Sequence, residues 1–256
     1  MRISLYQGAG TFLDVEKNLA LMDRVAKAAA LQGARMVLFP ELFLCGYNLG
    51  DDAPRVADTV DGDTVRRAGK VALLYGYAER NGSTIYNSAI FIDDLGKTLA
   101  NYRKVHLFGS EEKRIFQPGN SVVVVPFAGF RIGIRICYDI EFPEFVRMAV
   151  LQGADFLAIP TALTPPYWEI PTSIVRARAY ENQVFVAYAD RTGIERDLTY
   201  IGLSGIVGPD GKDLVRAGEN EETILTTDLD PARYEASRAA NTYLADRRPA
   251  LYGPVS

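Results

Sequence analysis

Histidine is almost missing from this chain and cysteine nearly so, with one His and two Cys among 256 residues. That excludes a disulfide scaffold and a zinc site built from several Cys and His ligands. No metal and no cofactor is implied. Excess positive charge is also missing: 28 Lys and Arg stand against 32 Asp and Glu, a net charge of -4. Such a balance supplies no field for polyanions, so nucleic acid is not an expected partner. Long apolar runs are absent too. The most apolar window, residues 121–136, is broken by Pro126, Gly129, Arg131 and Arg135, well short of the ~20 residues that cross a bilayer. The opening MRISLYQGAG lacks the apolar stretch of a secretory leader, which reads as a cytoplasmic protein with no membrane span. Nucleotide loops are wanting as well. Gly8-Ala9-Gly10 begins like GxGxxG but reaches Leu13 at the sixth position, and no GxxxxGK[ST] exists.

What is present suits a globular enzyme. Hydrophobic residues make up 48% and charged residues 23%, enough apolar material for a core. No repeat or linker marks a boundary, so one domain is expected over residues 1–256. Apolar spacing predicts a strand over residues 2–7, an amphipathic helix over 14–31 and a short buried strand over 36–39. A helix-like stretch follows near 64–70, then strands over 71–77, 84–92, 98–102, 122–125 and 131–136. Pro143 opens a helix. A strand over 155–159, a helix over 173–182, a strand over 184–189 and a hairpin at residues 208–211 complete a layered α/β sandwich.

Cys137 stands where the apolar strand RIGIRI runs into a reversal ahead of a helix, a place that can present a nucleophile beside free backbone N–H groups. Cysteine also packs cores as a small hydrophobe, and for Cys137 both readings stand. Cys45, in the apolar loop FLCGY, reads as packing. A thiol nucleophile needs a base. His106, the one histidine, could serve as that base in a Cys–His dyad, but a lone histidine beside a strand end is more often a hydrogen-bonded structural group, which turns attention to Glu41 in FPEL, directly after an apolar strand. There, loss of water would raise a carboxyl pKa toward the range of a general base. Lys104 shares the strand-end character, and an ammonium there would stabilise a thiolate or an oxyanion. Taken singly, each charge also fits a solvated group or an ordinary ion pair.

The three segments together are more specific. FPEL, YRKVHL from Tyr102 and ICYDIEFPE from Ile136 resemble, in order and separation, the Glu-Lys-Cys blocks of the carbon-nitrogen hydrolase (nitrilase) superfamily. RISLYQ, Tyr86-Asn87-Ser88, FQPG from Phe116 and RARAYEN from Arg176 are similar to further family features, so the resemblance spans nearly the whole chain. It implies a four-layer αββα sandwich with Glu41 as general base, Lys104 as intermediate-stabilising cation and Cys137 as nucleophile. The N–H of Tyr138 would complete the oxyanion site. It also implies an accessory glutamate after the lysine, for which Glu112 is favoured over Glu111 by its spacing to Phe116. A run of four charges over residues 111–114 would otherwise read as surface. Tyr47, Tyr138, Thr161, Ala162 and Trp168 are the substrate-side candidates. The expected substrate is a small amide, aliphatic or amino-acid-derived, and ICYDIEFPE is closer to amidase branches than to nitrilases. Nitrile hydrolysis, decarbamoylation and acyl transfer would use the same residues, and a non-catalytic assembly module is the alternative of another class. The resemblance further implies a homodimer or higher homo-oligomer, with residues 243–252 as an interface arm.

Overall fold

The computed structural model describes residues 1–63 and 70–252. Its chain opens with β1 (Arg2–Gln7), α1 (Val15–Leu31), β2 (Met36–Leu38), the short α2 (Ala53–Val56), β3 (Ala72–Asn81), β4 (Thr84–Ile92) and β5 (Thr98–Arg103). After α3 (Gly109–Ile115) come β6 (Val123–Phe127), β7 (Phe130–Ile134), α4 (Pro143–Leu151), β8 (Phe156–Pro160), α5 (Val175–Asn182) and β9 (Phe185–Ala189). Strands β10 (Thr192–Glu195) and β11 (Leu198–Ile201) pair only with each other, ahead of β12 (Gly205–Val207), β13 (Asp213–Arg216), β14 (Thr223–Asp228) and α6 (Pro231–Ala240).

Two six-stranded sheets result, ordered β14-β1-β2-β3-β4-β5 and β13-β12-β9-β8-β7-β6. Each has a parallel centre, β1-β2-β3 in one and β7-β8-β9 in the other. Central strands such as β8 (FLAIP) and β9 (FVAYA) are buried along their whole length, as parallel strands covered on both faces must be. Between the sheets, Ile3, Leu5, Leu38 and Phe91 of the first meet Ile132, Phe156, Ala158 and Phe185 of the second. The outer face of the first sheet is covered by Leu19, Met22, Val25, Ala26 and Ala29 of α1. The Asp14 side chain caps that helix by accepting from the Lys17 N–H at 3.0 Å. Val146 and Ala149 of α4 and Val175 and Ala179 of α5 cover the second sheet. The layers therefore run αββα, as expected.

Some elements differ from the sequence reading. Strand β3 continues past Tyr77 through the polar Glu79-Arg80-Asn81, because it forms a tight hairpin with β4 in which Asn81 faces Thr84. Residues 109–115, read as a charged loop, form α3. Strands β10, β11 and β14 and helix α6 were not anticipated. The helix-like stretch near 64–70 falls, except for Lys70, outside the described residues.

Candidate active site

Three strand ends converge. Glu41 follows β2 through Phe39-Pro40, Lys104 follows β5 directly, and Cys137 follows β7 through Arg135-Ile136. The first two belong to one sheet and the third to the other. The Glu41 loop is held by its backbone. Its N–H donates to the Thr161 carbonyl at 3.2 Å, across to the second sheet. The fully buried Arg191 donates from Nε to the Glu41 carbonyl at 3.0 Å and from Nη2 to the Leu42 carbonyl at 2.8 Å. Leu42 has φ +48° and Cys137 φ +44°. Left-handed backbone at a leucine or cysteine is strained by about 1–2 kcal/mol, and here it turns the chain at two of the three positions.

Lys104 Nζ donates to Glu41 Oε1 at 2.7 Å and to Glu112 Oε1 at 2.8 Å. Asn87 also donates to Glu41 Oε1, at 2.7 Å. Glu112 is fixed in turn by the Tyr47 hydroxyl on Oε1 at 2.7 Å and the Phe108 N–H on Oε2 at 2.9 Å. It is Glu112, not Glu111, that reaches Lys104; Glu111 is exposed and pairs with Arg114 at 2.9 Å. Helix geometry explains why one charge of four turns inward, since α3 buries a single face. On the Glu41–Lys104 pair itself, one donor and one acceptor position remain open. An ammonium has three donors, of which two are engaged, and among the described residues Glu41 Oε2 is buried with no hydrogen-bond partner.

Electrostatics follow from the burial. Loss of water pushes Glu41 up to about 7, against the opposing pull of Lys104 and with a further push from Glu112. Burial also works against the Lys104 charge, but Glu112, Glu41 and Cys137 outweigh it and hold its pKa well above the usual lysine value. For Cys137, burial and then Glu41 raise the thiol pKa well above the ordinary value, opposed by Lys104 and the Ala162 N–H. Burial thus favours the thiol form of Cys137, and the neighbouring acids favour the charged form of Lys104.

Asp139 holds the cysteine turn in place. Its Oδ2 accepts from the Ile136 N–H at 3.0 Å and the Tyr102 hydroxyl at 2.5 Å, while Oδ1 accepts from the His106 N–H at 2.9 Å. The His106 ring also meets Oδ1 through Nδ1 at 2.8 Å and stacks on Phe142. The one histidine thus ties the lysine loop to the cysteine turn. Asp139→Asn, which loses an acceptor from this hub, is expected to lower kcat on the order of 10²-fold by displacing the sulfur. Kinetics that separate kcat from KM check this, with KM little changed.

Cys137 opens onto a cavity of about 360 Å³, the size of a small-molecule site. Tyr47, Glu112, Tyr138 and Ala162 also line it. Thr161 and Trp168 do not: Thr161 is buried as the backbone anchor of Glu41, and its neighbour Ala162 takes the lining position. Trp168 and the adjacent Tyr167 are both exposed, but it is Tyr167 that the loop turns toward the cavity. Glu41 and Lys104 are fully buried behind the lining. Cys45 packs among Leu42, Leu49 and Phe116, with burial pushing its thiol up to about 12. The sequence reading passed over Glu141, Tyr167 and Asp197, all in the lining. Only Glu141 lies within a motif block, where its charge was a visible signal.

Fold and site together define a hydrolase of carbon–nitrogen bonds. The chain belongs to the carbon-nitrogen hydrolase family, whose profile matches residues 2–239. It is 43% identical to a hydrolase of Pseudomonas protegens, covering 100% of this chain and 92% of that one. It is 35% identical to an (R)-stereoselective amidase of a Pseudomonas species, over 99% and 93% of the two chains. Among solved structures it resembles an amidase of Nesterenkonia sp. at 36% identity and a TM-score of 0.88, covering 98% of each chain. That structure carries acrylamide added to its active-site cysteine.

Proposed function

We propose that this protein hydrolyses the C–N bond of a small, non-peptide amide through a thioester on Cys137. The unengaged Glu41 Oε2 takes the thiol proton as sulfur attacks the carbonyl carbon. The remaining Lys104 N–H and the Tyr138 N–H receive the oxyanion. The tetrahedral adduct collapses, and ammonia or an amine leaves with the proton that Glu41 holds. Water then attacks the thioester, giving its proton to Glu41. The carboxylic acid departs as the proton returns to sulfur, which restores both groups, and the acid ionises in bulk water. Glu112 orients Lys104 from the opposite side. Tyr47, Tyr138 and Ala162 form the substrate-side wall.

The observation that carries this reading is the pair of open positions, one acceptor and one donor, on a buried Glu41–Lys104–Glu112 chain beside the cysteine of a small cavity. The amide reading follows the amidase relatives; a nitrilase and an N-carbamoylputrescine amidase stand beside them, so the assay must separate the three substrate classes. The test is ammonia release across amides, nitriles and carbamoyl amines. Cys137→Ala is expected to lower it by about 10⁴-fold or more, and mass spectrometry of the native protein should find an acyl adduct on Cys137. Retained turnover in that variant would remove the thioester from the reaction.

A further inference from the structure

The chemistry above makes no use of Glu141, a charged group of the cavity. Glu141 ends the short turn that starts at Cys137, is half-buried, and lines the cavity. Arg178 pins its backbone, donating from Nε to the Ile140 carbonyl at 2.9 Å and from Nη2 to the Glu141 carbonyl at 3.1 Å. The remaining terminal nitrogen, Nη1, engages Glu181 at 3.1 Å. No donor among the described residues reaches the Glu141 carboxylate. Burial raises its pKa, opposed by the nearby Lys104 and Arg178 charges.

The rest of the lining has the same sign. Glu111, Glu112 and Asp197 also face the cavity, and no Lys, Arg or His is among its described lining residues. The other three carboxylates are occupied: Glu111 by Arg114, Glu112 by Lys104 and Tyr47, Asp197 by Asn48 at 2.7 Å. Of these four carboxylates only Glu141 has no partner on either oxygen among the described residues. Phe108, set edge-to-face against Tyr138 and Tyr167, adds aromatic rings to the same lining, and such rings attract a cation. A partly dehydrated carboxylate without a donor is unfavourable until a ligand supplies one. An anionic amide, by contrast, would enter beside the unpaired Glu141 carboxylate with no cation among the described lining residues to receive it.

We infer that Glu141 is a specificity-determining residue that receives an ammonium or other N–H donor on the substrate. The substrate class is then a small amide bearing an amine, and amides bearing a free carboxylate are rejected. This rests on the amide-hydrolase reading and narrows it.

The test uses three sets of straight-chain amides with two to four methylenes, ending in an ammonium, a methyl group or a carboxylate. For the wild type, kcat/KM is expected to fall in that order, with the best ammonium amide at least about tenfold above its carboxylate counterpart. Glu141→Gln should bring the ammonium-to-methyl ratio to within about threefold, and Glu141→Arg should reverse the ammonium–carboxylate order. Because the readout is a ratio within one protein, a general loss of activity cancels. Titration of the same amides into the Cys137→Ala protein by calorimetry measures the preference without turnover. A wild type that hydrolyses no amide, yet binds ammonium amides through Glu141, would sink the hydrolase reading and keep this one. Equal ratios in wild type and Glu141→Gln, in turnover or in binding, would overturn the role of Glu141.

Discussion

Glu41→Gln is expected to lower kcat for amide hydrolysis by about 10²–10⁴-fold, the range a positioned general base contributes, while the protein stays folded. The glutamine oxygen can still accept from Lys104 and Asn87, which both bond Oε1. Its NH₂ replaces Oε2, the atom with no partner, so no existing hydrogen bond is broken. What disappears is the site for the thiol proton. The pH dependence follows from the same carboxyl. Burial pushes Glu41 up to about 7, and catalysis needs its ionised form, so kcat/KM should rise with pH through about 7. The glutamine variant should lack that limb. Stability runs the other way: a carboxyl whose folded value exceeds its unfolded one stabilises the fold fully below the unfolded value and loses that contribution as pH rises through the folded value. Between roughly pH 4.5 and 7, the base becomes competent as its burial turns against folding. A pH–rate profile on both proteins settles the assignment, because a limb that survives in the variant belongs to another group.

Gly76→Ala is expected to destabilise the protein by about 3 kcal/mol or more and to lower kcat by about 10²-fold or more. A Cβ at Gly76 would lie 2.1 Å from the Leu42 nitrogen, 2.7 Å from the Glu41 carbonyl carbon and 2.8 Å from the Glu41 Cα. All three are backbone atoms, so no flexible side chain can swing aside. The loop is also fastened on both sides of this contact, with the Gly76 N–H donating to the Pro40 carbonyl and the Leu44 N–H to the Gly76 carbonyl. Relief requires β3 or the Glu41 turn to move, and Glu41 moves with it. Urea unfolding and steady-state kinetics on the purified variant check both halves. A variant with wild-type midpoint and kcat would show that the loop is softer than its contacts indicate.

Gly76 also marks where sequence reasoning stops. Glu41, Lys104 and Cys137 stand at strand ends, but the resemblance of their three segments to the family's Glu-Lys-Cys blocks, rather than strand-end position alone, is what picks them out of the sequence. The α1 helix is legible from its period and its Asp14 cap. A glycine whose missing side chain makes room for a distant turn has no local signature; its neighbours LLYGYA read simply as strand. Arg191 is hidden for the same reason, since a charged residue in a polar stretch gives no hint that it will be buried against the Glu41 and Leu42 carbonyls. That Tyr167 rather than Trp168, and of the candidate pair Ala162 rather than Thr161, lines the cavity is a matter of one position in each loop. Which neighbour faces inward depends on turns that composition does not set. Glu112 could be found from spacing to Phe116, but its inward aim depends on α3, which four consecutive charges concealed.

Glu41 and Lys104 hang from one sheet and Cys137 from the other, so in the proposed reaction the gap a proton would cross is gauged by the hydrocarbon slab sandwiched between them. Residues such as Phe91 and Phe156, remote from any substrate, set the thickness of that slab. Drift in their bulk over evolutionary time is therefore answerable to reaction rate as well as to melting.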